Sequence, residues 1–166
     1  MALRNIVKDN DPLNTLHKKC RPVTDFGPKL WDLLDDMAET MYAADGVGLA
    51  GPQVGYLRRV FVVDVGEGLI EFINPQVLET SGQQDGNEGC LSFPGEYGMG
   101  KRPMWVKMRA QDRDGNWFEV EGEALTARAF CHEIEHLDGH LFVEHVDHFL
   151  SDEELREYLE REEEGE

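Results

Sequence analysis

Two histidines and a glutamate in one short stretch are the residues of this sequence whose types and spacing could do chemistry. His132 and His136 are four positions apart within LTARAFCHEIEHLDG, Leu125 to Gly139. In a helix this spacing places both imidazoles on one face, about 6 Å apart, so that both can reach one metal ion. Glu133 beside them could take a proton from a water molecule and later pass it to a leaving group. The pattern predicts metal-assisted hydrolysis.

The same stretch has the periodicity of a helix with one apolar face. Leu125, Ala129 and Leu137 fall on the side of the two histidines. Three charged residues fall elsewhere: Arg128, Glu135 and Asp138. The alternative is a pair of buried histidines with ordinary hydrogen bonds. An apolar face that carries two imidazoles favours the metal site.

A hydrolytic metal site usually has a third protein ligand, and the sequence offers several candidates. One large class of proteases has a histidine at the position that Phe142 occupies here. His140 would lie too far along the helix, and His145 or His148 could reach the ion only by a sharp return of the chain. Cys90 is the strongest remaining choice, because the glycines and proline of EGCLSFPG could hold its thiolate at a fixed angle.

Three separate stretches together resemble the motifs of the peptide deformylase family. They are GVGLAGPQVG at Gly46 to Gly55, EGCLSFPG at Glu88 to Gly95, and HEIEHLDG at His132 to Gly139. Their order and spacing match that family. The resemblance implies removal of the formyl group from the N-terminal formylmethionine of new polypeptides. It also implies that the metal ligands are Cys90, His132 and His136.

The resemblance gives Gln53 and Leu91 a role in stabilising the transition state. The side-chain amide of Gln53 and the backbone N–H of Leu91 would both donate hydrogen bonds to the formyl oxygen. Attack on a formamide places negative charge on that oxygen, and loss of one such donor typically costs about 3 kcal/mol. Without the other motifs, Gln53 would be interpreted as an exposed turn residue. A phosphate-binding loop is disfavoured, because no lysine followed by serine or threonine ends this stretch.

The resemblance also implies how the substrate would bind. The methionine side chain would enter an apolar pocket, whose expected lining is Val47, Leu125, Ala129 and the ring of His132. Backbone groups would hold the peptide like an added strand, and they are expected from Val47, Gly48 and Gly89. Such main-chain contacts do not distinguish between the side chains of the peptide residues that follow the first. We therefore expect a strong preference for formylmethionine and broad tolerance beyond it.

The identity of the metal is left open by the ligand types, since one thiolate and two imidazoles suit Fe²⁺, Zn²⁺, Ni²⁺ or Co²⁺. The resemblance favours one Fe²⁺ ion per chain. Two other functions are alternatives, a zinc endopeptidase and an inactive metal-binding paralogue. Phe142 disfavours the first, because it stands where one protease class has its third ligand. Retention of Glu133, Gln53 and the three proposed ligands disfavours the second.

Length and composition are typical of a single globular domain. The chain has 166 residues, of which 40% are hydrophobic, and a formal net charge of -18. This charge disfavours binding to DNA or to an anionic membrane. No run is apolar enough to span a bilayer and the first residues lack a secretory signal, so we expect a cytoplasmic protein. We interpret Cys20 and Cys131 as packing residues, because three cysteines make no even disulfide framework.

Hydrophobic periodicity predicts one core-facing helix from Phe26 to Ala44, followed by short β-rich runs. The runs are Val60–Val65, Leu69–Ile73, Val77–Leu78, Trp105–Ala110 and Trp117–Val120. Asp114-Gly115 is a strong turn signal between the last two. The expected fold is α+β, with small, mostly antiparallel sheets packed around a central metal-binding helix. The resemblance implies the same layout.

The C-terminal residues differ in composition from the rest. We expect a single catalytic metallohydrolase domain over residues 1–150, with residues 151–166 as an acidic helical tail of the same domain. The tail has nine acidic residues against two arginines, and Ser151 with Glu154 predicts a capping box. Many deformylases instead end in a basic helix that is thought to dock on the ribosome. That contact is in doubt here, because RNA phosphates would repel the acids.

Overall fold

Helices and antiparallel strands make up most of the chain in the computed structural model, which describes residues 2–144 and 146–164. Within these ranges there are three α-helices: α1 Pro28–Ala43, α2 Leu125–Leu137 and α3 Asp152–Glu164. The same ranges contain eight β-strands: β1 Gly48–Ala50, β2 Val60–Val63, β3 Ile70–Ser81, β4 Gln84–Cys90, β5 Phe93–Arg102, β6 Trp105–Gln111, β7 Trp117–Glu123 and β8 Val146–Phe149. Short 3₁₀ turns lie at Thr15–His17, Gly51–Val54 and Phe142–Glu144.

The described strands form two sheets, and every pairing within them is antiparallel. The larger sheet has the order β1-β2-β3-β6-β7 and the smaller has the order β4-β5-β8. Helix α2 contacts strands of both sheets, among them β1, β2 and β7 of the larger and β5 of the smaller. The predicted α+β fold, with small antiparallel sheets around a central helix, is confirmed.

An aromatic cluster fixes α2 against the larger sheet. Phe130 on the helix meets the ring of Phe72 edge-on at 5.0 Å between centroids, and Phe72 stacks on Phe61 at 4.4 Å. All three side chains are fully buried. Aromatic rings in these geometries stabilise a core by more than the area they bury. The cluster therefore holds the helix in one position relative to the strands.

Helix α1 covers another part of the larger sheet. Its buried residues recur at three- and four-residue intervals, as the sequence predicts: Leu30, Leu33, Leu34, Met37 and Met41. They pack against Leu49 of β1 and Val60 and Val62 of β2. Pro28 stands at the first helical position, where its missing N–H costs nothing. The predicted helix is confirmed, with its first turn two residues later than expected.

The smaller sheet was not predicted, and β3 is longer than expected. Strands β4 and β5 contain many glycines and few β-branched residues, so their sequences carry little strand signal. Leu69–Ile73 and Val77–Leu78 were predicted as separate runs, but they belong largely to the single strand β3. Pro75 lies at a register irregularity between β3 and β6, where its missing N–H breaks no regular pairing.

Two local predictions at chain turns are confirmed. Gly115 has a φ of 89°, the left-handed conformation that the turn between β6 and β7 requires. Ser151 and Glu154 form the predicted capping box, with each side chain accepting from the other's backbone N–H at 3.2 and 3.3 Å. Among the described residues, no helix has both the length and the apolar character to cross a bilayer. The division of the chain at residue 150 stays a prediction.

We expect Phe130→Ala to destabilise the fold by about 3 to 5 kcal/mol, because it leaves a cavity beside Phe72. The free energy of unfolding in urea measures this loss. Phe149→Ala is the matched control, since this ring is 51% exposed and its removal should cost within about 0.5 kcal/mol. Equal losses in the two variants would show that the aromatic cluster does not anchor α2.

Candidate active site

Helix α2 carries three buried polar side chains on one part of its surface. His132, Glu133 and His136 are almost inaccessible to solvent, and the two imidazole rings lie 5.0 Å apart between centroids. The helix ends at Leu137, and Gly139 turns the chain away with a φ of 80°. His140 was expected further along the same helical face. It lies beyond the helix end instead, because the glycine breaks the helix first.

Strand β4 brings Cys90 to the two histidines. The Sγ atom of Cys90 lies 3.3 Å from Nε2 of His136, and the ligand atoms of Cys90, His132 and His136 all lie within 4.8 Å of one another. Among the described residues, this is the one cluster of three or more such side chains close enough to hold an ion. A thiolate and two imidazoles at these separations fit a divalent metal with one coordination position open.

The other candidate positions for a third ligand do not join this cluster. Phe142 packs with its ring 5.8 Å from that of His132 and 5.6 Å from that of Phe93. His148 is exposed on β8, and His145 lies outside the described residues. The geometry thus favours Cys90 among the alternatives that the sequence leaves open.

Glu88 fixes the orientation of the His132 ring. Its Oε1 accepts from Nδ1 of His132 at 2.7 Å and from Nη2 of Arg102 at 2.6 Å, and its Oε2 accepts from Nε of Arg102 at 3.1 Å. Burial alone would raise the pKa of Glu88, but the hydrogen bonds from His132 and Arg102 lower it to about 2. The carboxylate is therefore ionised, and it leaves Nε2 of His132 available for a metal.

Arg102 is a site residue that sequence reasoning missed. It also binds Glu135 of α2, so one guanidinium joins β5 to both the helix and β4. No sequence motif marks it, because its role depends on the pairing of two strands that carry little strand signal.

Glu133 lies directly against the backbone of β1. A Cβ atom built on Gly48 would overlap Oε2 of Glu133, so the glycine makes room for this carboxyl group. Burial raises the pKa of Glu133 to about 7, although the neighbouring His132 and Arg102 act in the opposite direction. Oε1 is buried and has no hydrogen-bond partner among the described residues. The group can thus exchange a proton with a molecule bound in front of it.

Gln53 is 1% exposed, which excludes the alternative of an exposed turn residue. Its Oε1 accepts from the N–H of Ala50 at 3.0 Å, which fixes the direction of the side-chain amide. Its Nε2 donates to Oγ of Ser92 at 3.1 Å and lies 3.4 Å from Sγ of Cys90. An oriented N–H donor therefore stands beside the proposed ligand. Ser92, which helps to orient it, was not singled out in the sequence.

A cavity of about 450 Å³ opens beside these groups. It is lined by every residue expected to bind substrate: Val47, Gly48, Gly89, Leu125 and Ala129. Gln53, Cys90, Leu91, His132 and Glu133 line it as well. A larger cavity of about 800 Å³ beside the start of α1 contains none of these residues. The candidate chemistry is therefore confined to the smaller cavity.

Arg128 also lines this cavity, which corrects the prediction that it falls on another side of the helix. Its side chain is buried, and it contacts Glu88 at 3.2 Å. The spacing from Leu125 to Arg128 and from Arg128 to His132 is three and four residues, which is the spacing of one helical face. The signal was present in the sequence, but the charge of the residue suggested a solvated position.

Comparisons with known proteins give consistent results. A family model described as polypeptide deformylase matches residues 3–151. The chain is 56% identical over 152 residues to a peptide deformylase of Agathobacter rectalis, covering 92% of this chain and 95% of that one. It is 57% identical over 155 residues to a peptide deformylase of Caldanaerobacter subterraneus subsp. tengcongensis, covering 93% of this chain and 96% of that one.

A solved structure agrees with these sequence matches. The crystal structure of peptide deformylase from Thermotoga maritima is similar with a TM-score of 0.84 at 41% sequence identity. The match covers 88% of this chain and 99% of that chain. The similarity therefore extends over the elements that carry the candidate site.

Glu88→Gln keeps the size of the side chain but removes the charge that orients His132. We expect the affinity for a divalent metal to fall by about 10-fold to 100-fold, as is typical when a hydrogen-bond partner of a metal-binding histidine is lost. Competition with a chelator measures this affinity. Glu96→Gln, an exposed position on β5, is the control and should bind metal as the unaltered protein does. Equal affinities in both variants would refute the orienting role of Glu88.

Proposed function

The chain belongs to the polypeptide deformylase family, and on that premise we propose which of its residues carry the reaction. It is a metal-dependent hydrolase that removes the formyl group from the N-terminal formylmethionine of newly made polypeptides. Water is added across the formamide bond, and the products are formate and a free amino terminus. The observation that carries the assignment of roles is the convergence of Cys90, His132 and His136 beside Glu133.

We propose that Cys90, His132 and His136 hold one divalent metal ion, and that this ion is Fe²⁺ in the cell. When bound, the ion polarises the formyl carbonyl and makes water a stronger acid. A thiolate ligand donates charge, so zinc should be a weaker Lewis acid here than with three neutral histidines, whereas ferrous iron expands its coordination more readily. The same ligands also suit Zn²⁺, Ni²⁺ and Co²⁺.

Glu133 is the proposed general base and acid. It would accept a proton from the attacking water and then deliver it to the nitrogen of the departing methionine. Support comes from the buried Oε1 atom without a partner among the described residues, and from the raised pKa of the carboxyl group. A carboxyl group with a pKa close to the working pH transfers protons efficiently in both directions.

Gln53 and Leu91 are the proposed donors to the formyl oxygen. Nε2 of Gln53 donates to Oγ of Ser92 and to Sγ of Cys90, so both amide hydrogens point toward the proposed ligand and its neighbour. The proposed role requires one of these hydrogens to turn to the formyl oxygen when substrate binds. The backbone N–H of Leu91 follows Cys90 directly in the chain and borders the same cavity. Both donors would strengthen their hydrogen bonds as negative charge develops on the oxygen, which lowers the barrier to attack.

The substrate peptide is proposed to lie between two sheet edges. Strand β1 is at the edge of the larger sheet and β4 is at the edge of the smaller one, so each has one side without a strand partner among the described strands. Backbone groups of Val47, Gly48 and Gly89 could therefore pair with an extended peptide. The methionine side chain would then contact Leu125, Ala129 and the His132 ring, which line the same cavity.

The alternative functions are less well supported. A zinc endopeptidase of the class that has a third histidine ligand after the glycine would need that histidine at position 142. A phenylalanine packs there instead. An inactive paralogue would not need Glu133, Gln53 and the three proposed ligands around one cavity.

We further propose a cytoplasmic location. A transient contact with the ribosome through α3 is disfavoured, since the first turn of this helix carries three acids and RNA phosphates would repel it.

Glu133→Gln should abolish turnover without removing the metal. The variant keeps the size and hydrogen bonding of the side chain but removes the proton acceptor, so deformylation of formyl-Met-Ala-Ser should fall by at least about 100-fold. Metal content by elemental analysis should be unchanged, whereas in Cys90→Ala it should fall. Near wild-type turnover in a metal-loaded Glu133→Gln enzyme would transfer the role of base to another group, such as Glu88. A peptide with only internal amide bonds, assayed in parallel, separates deformylation from proteolysis.

Iron should support faster deformylation than zinc. Enzyme loaded with Fe²⁺ under anaerobic conditions is compared with the same preparation loaded with Zn²⁺, and each rate is divided by the measured metal content. The iron form should also lose activity in air as the metal oxidises. If the two forms have equal rates, the proposal for iron fails while the proposed ligands stand.

A further inference from the structure

The cavity beside the proposed metal ligands has a cationic group in its wall that the roles above do not use. Arg128 reaches from α2 across strand β4. Its Nη1 donates to the carbonyl oxygen of Gly86 at 3.2 Å and to Oε2 of Glu88 at 3.2 Å, and its Nη2 donates to Oε1 of Gln84 at 3.4 Å. The side chain is 6% exposed and lines the cavity. The wall of the cavity formed by Leu125 and Ala129 of α2 therefore also contains a buried guanidinium.

Strand β4 has the space that this guanidinium needs. Residues 84, 86 and 88 alternate along the strand and so share one face, which is the face toward Arg128. A Cβ atom on Gly86 would overlap Nη2 of Arg128. The glycine thus forms a channel in which the guanidinium lies between Gln84 and Glu88. This arrangement fixes the position of the positive charge.

Arg128 retains hydrogen-bonding capacity in this position. A guanidinium has five N–H groups and stays protonated in proteins. The three hydrogen bonds that the structure gives Arg128 within the described ranges use only three of these groups. The remaining N–H groups can donate to a ligand in the cavity. A ligand atom that accepts hydrogen bonds would find a charged donor there.

The distance along α2 between Arg128 and His132 is similar to the length of a methionine side chain. Arg128 precedes His132 by four residues, which corresponds to about 6 Å along the helix axis. A methionine side chain that starts beside the proposed ligand His132 and runs along α2 past Ala129 would end near Arg128. The tip of the first side chain, and not its stem, would therefore meet the guanidinium.

We propose that Arg128 allows this enzyme to deformylate peptides whose first residue ends in a strong hydrogen-bond acceptor, in particular formylmethionine sulfoxide. This inference rests on the proposed substrate position. In a purely apolar pocket, the sulfoxide oxygen would lose its hydrogen bonds to water without replacement, which is costly. Arg128 supplies a charge-assisted replacement. The thioether of unmodified methionine is only a weak acceptor, so it depends little on the same donor.

Three peptides test the inference: formyl-Met-Ala-Ser, its sulfoxide, and the formyl-norleucine analogue, which lacks the sulfur. In the metal-loaded enzyme, kcat/KM for the sulfoxide should lie within about 10-fold of that for methionine. The hydrogen bond that the sulfoxide oxygen loses with water is replaced by one from Arg128. Arg128→Met should lower the sulfoxide-to-methionine ratio by at least about 10-fold, mainly through KM. The norleucine-to-methionine ratio should not change. Ratios within one preparation are insensitive to losses of metal or of folded protein.

Two further variants complete the design. Arg109→Met makes the same chemical change on β6, where the guanidinium stacks on Trp117 outside the cavity, and should leave both ratios unaltered. Gly86→Ala keeps Arg128 but displaces its guanidinium, so it should lower the sulfoxide ratio even if Arg128→Met does not fold.

The possible outcomes distinguish a failure of this inference from a failure of the proposed function. A wild-type enzyme that rejects the sulfoxide as strongly as Arg128→Met does would overturn the role of Arg128, with deformylation of formyl-Met-Ala-Ser intact. An unchanged sulfoxide ratio in both Arg128→Met and Gly86→Ala would overturn it as well. A wild-type enzyme that releases no formate from formyl-Met-Ala-Ser would instead overturn the proposed function.

Discussion

The rest of the site depends on the hydrogen bonds and ion pairs made by the buried carboxylate of Glu88. It accepts hydrogen bonds from His132 and Arg128 of α2 and from Arg102 of β5. A buried charge is costly to desolvate, and its cost is offset only when its oxygen atoms are well paired. Because Glu88 lies two residues before Cys90 in β4, the pairing that satisfies its charge also fixes the cysteine relative to the helix.

Two glycines complement this network by leaving space for charged side chains of α2. Gly48 allows the carboxyl group of Glu133 to lie against β1, and Gly86 allows the guanidinium of Arg128 to lie against β4. In both cases the missing Cβ atom lets a strand approach a polar group of the helix closely. The helix can therefore present the proposed base, a proposed ligand and the cationic Arg128 to one cavity while its opposite side packs on the aromatic cluster.

The sequence was most informative where the relevant contacts are local. The spacing of His132, Glu133 and His136 specifies one helical face without any knowledge of the rest of the chain. The partners of that face come from β4 and β5, whose glycine-rich sequences do not indicate strands, so the contacts of Arg102 could not be predicted. Arg128 was misjudged for a different reason, since a charged residue on a helix is usually solvated and its buried partner lies 40 residues away. The proposed residue roles stay predictions, because they concern a metal and a substrate.

X-ray absorption spectroscopy of the metal-loaded protein tests the central claim most directly, because it reports the atoms bound to the ion independently of activity. The claim is that the Glu88 network brings one thiolate and two imidazoles to the same ion. The spectrum should therefore show one sulfur and two imidazole nitrogen donors in the wild-type protein, and no sulfur in Cys90→Ala. A wild-type spectrum without sulfur, or with three imidazoles, would contradict the account.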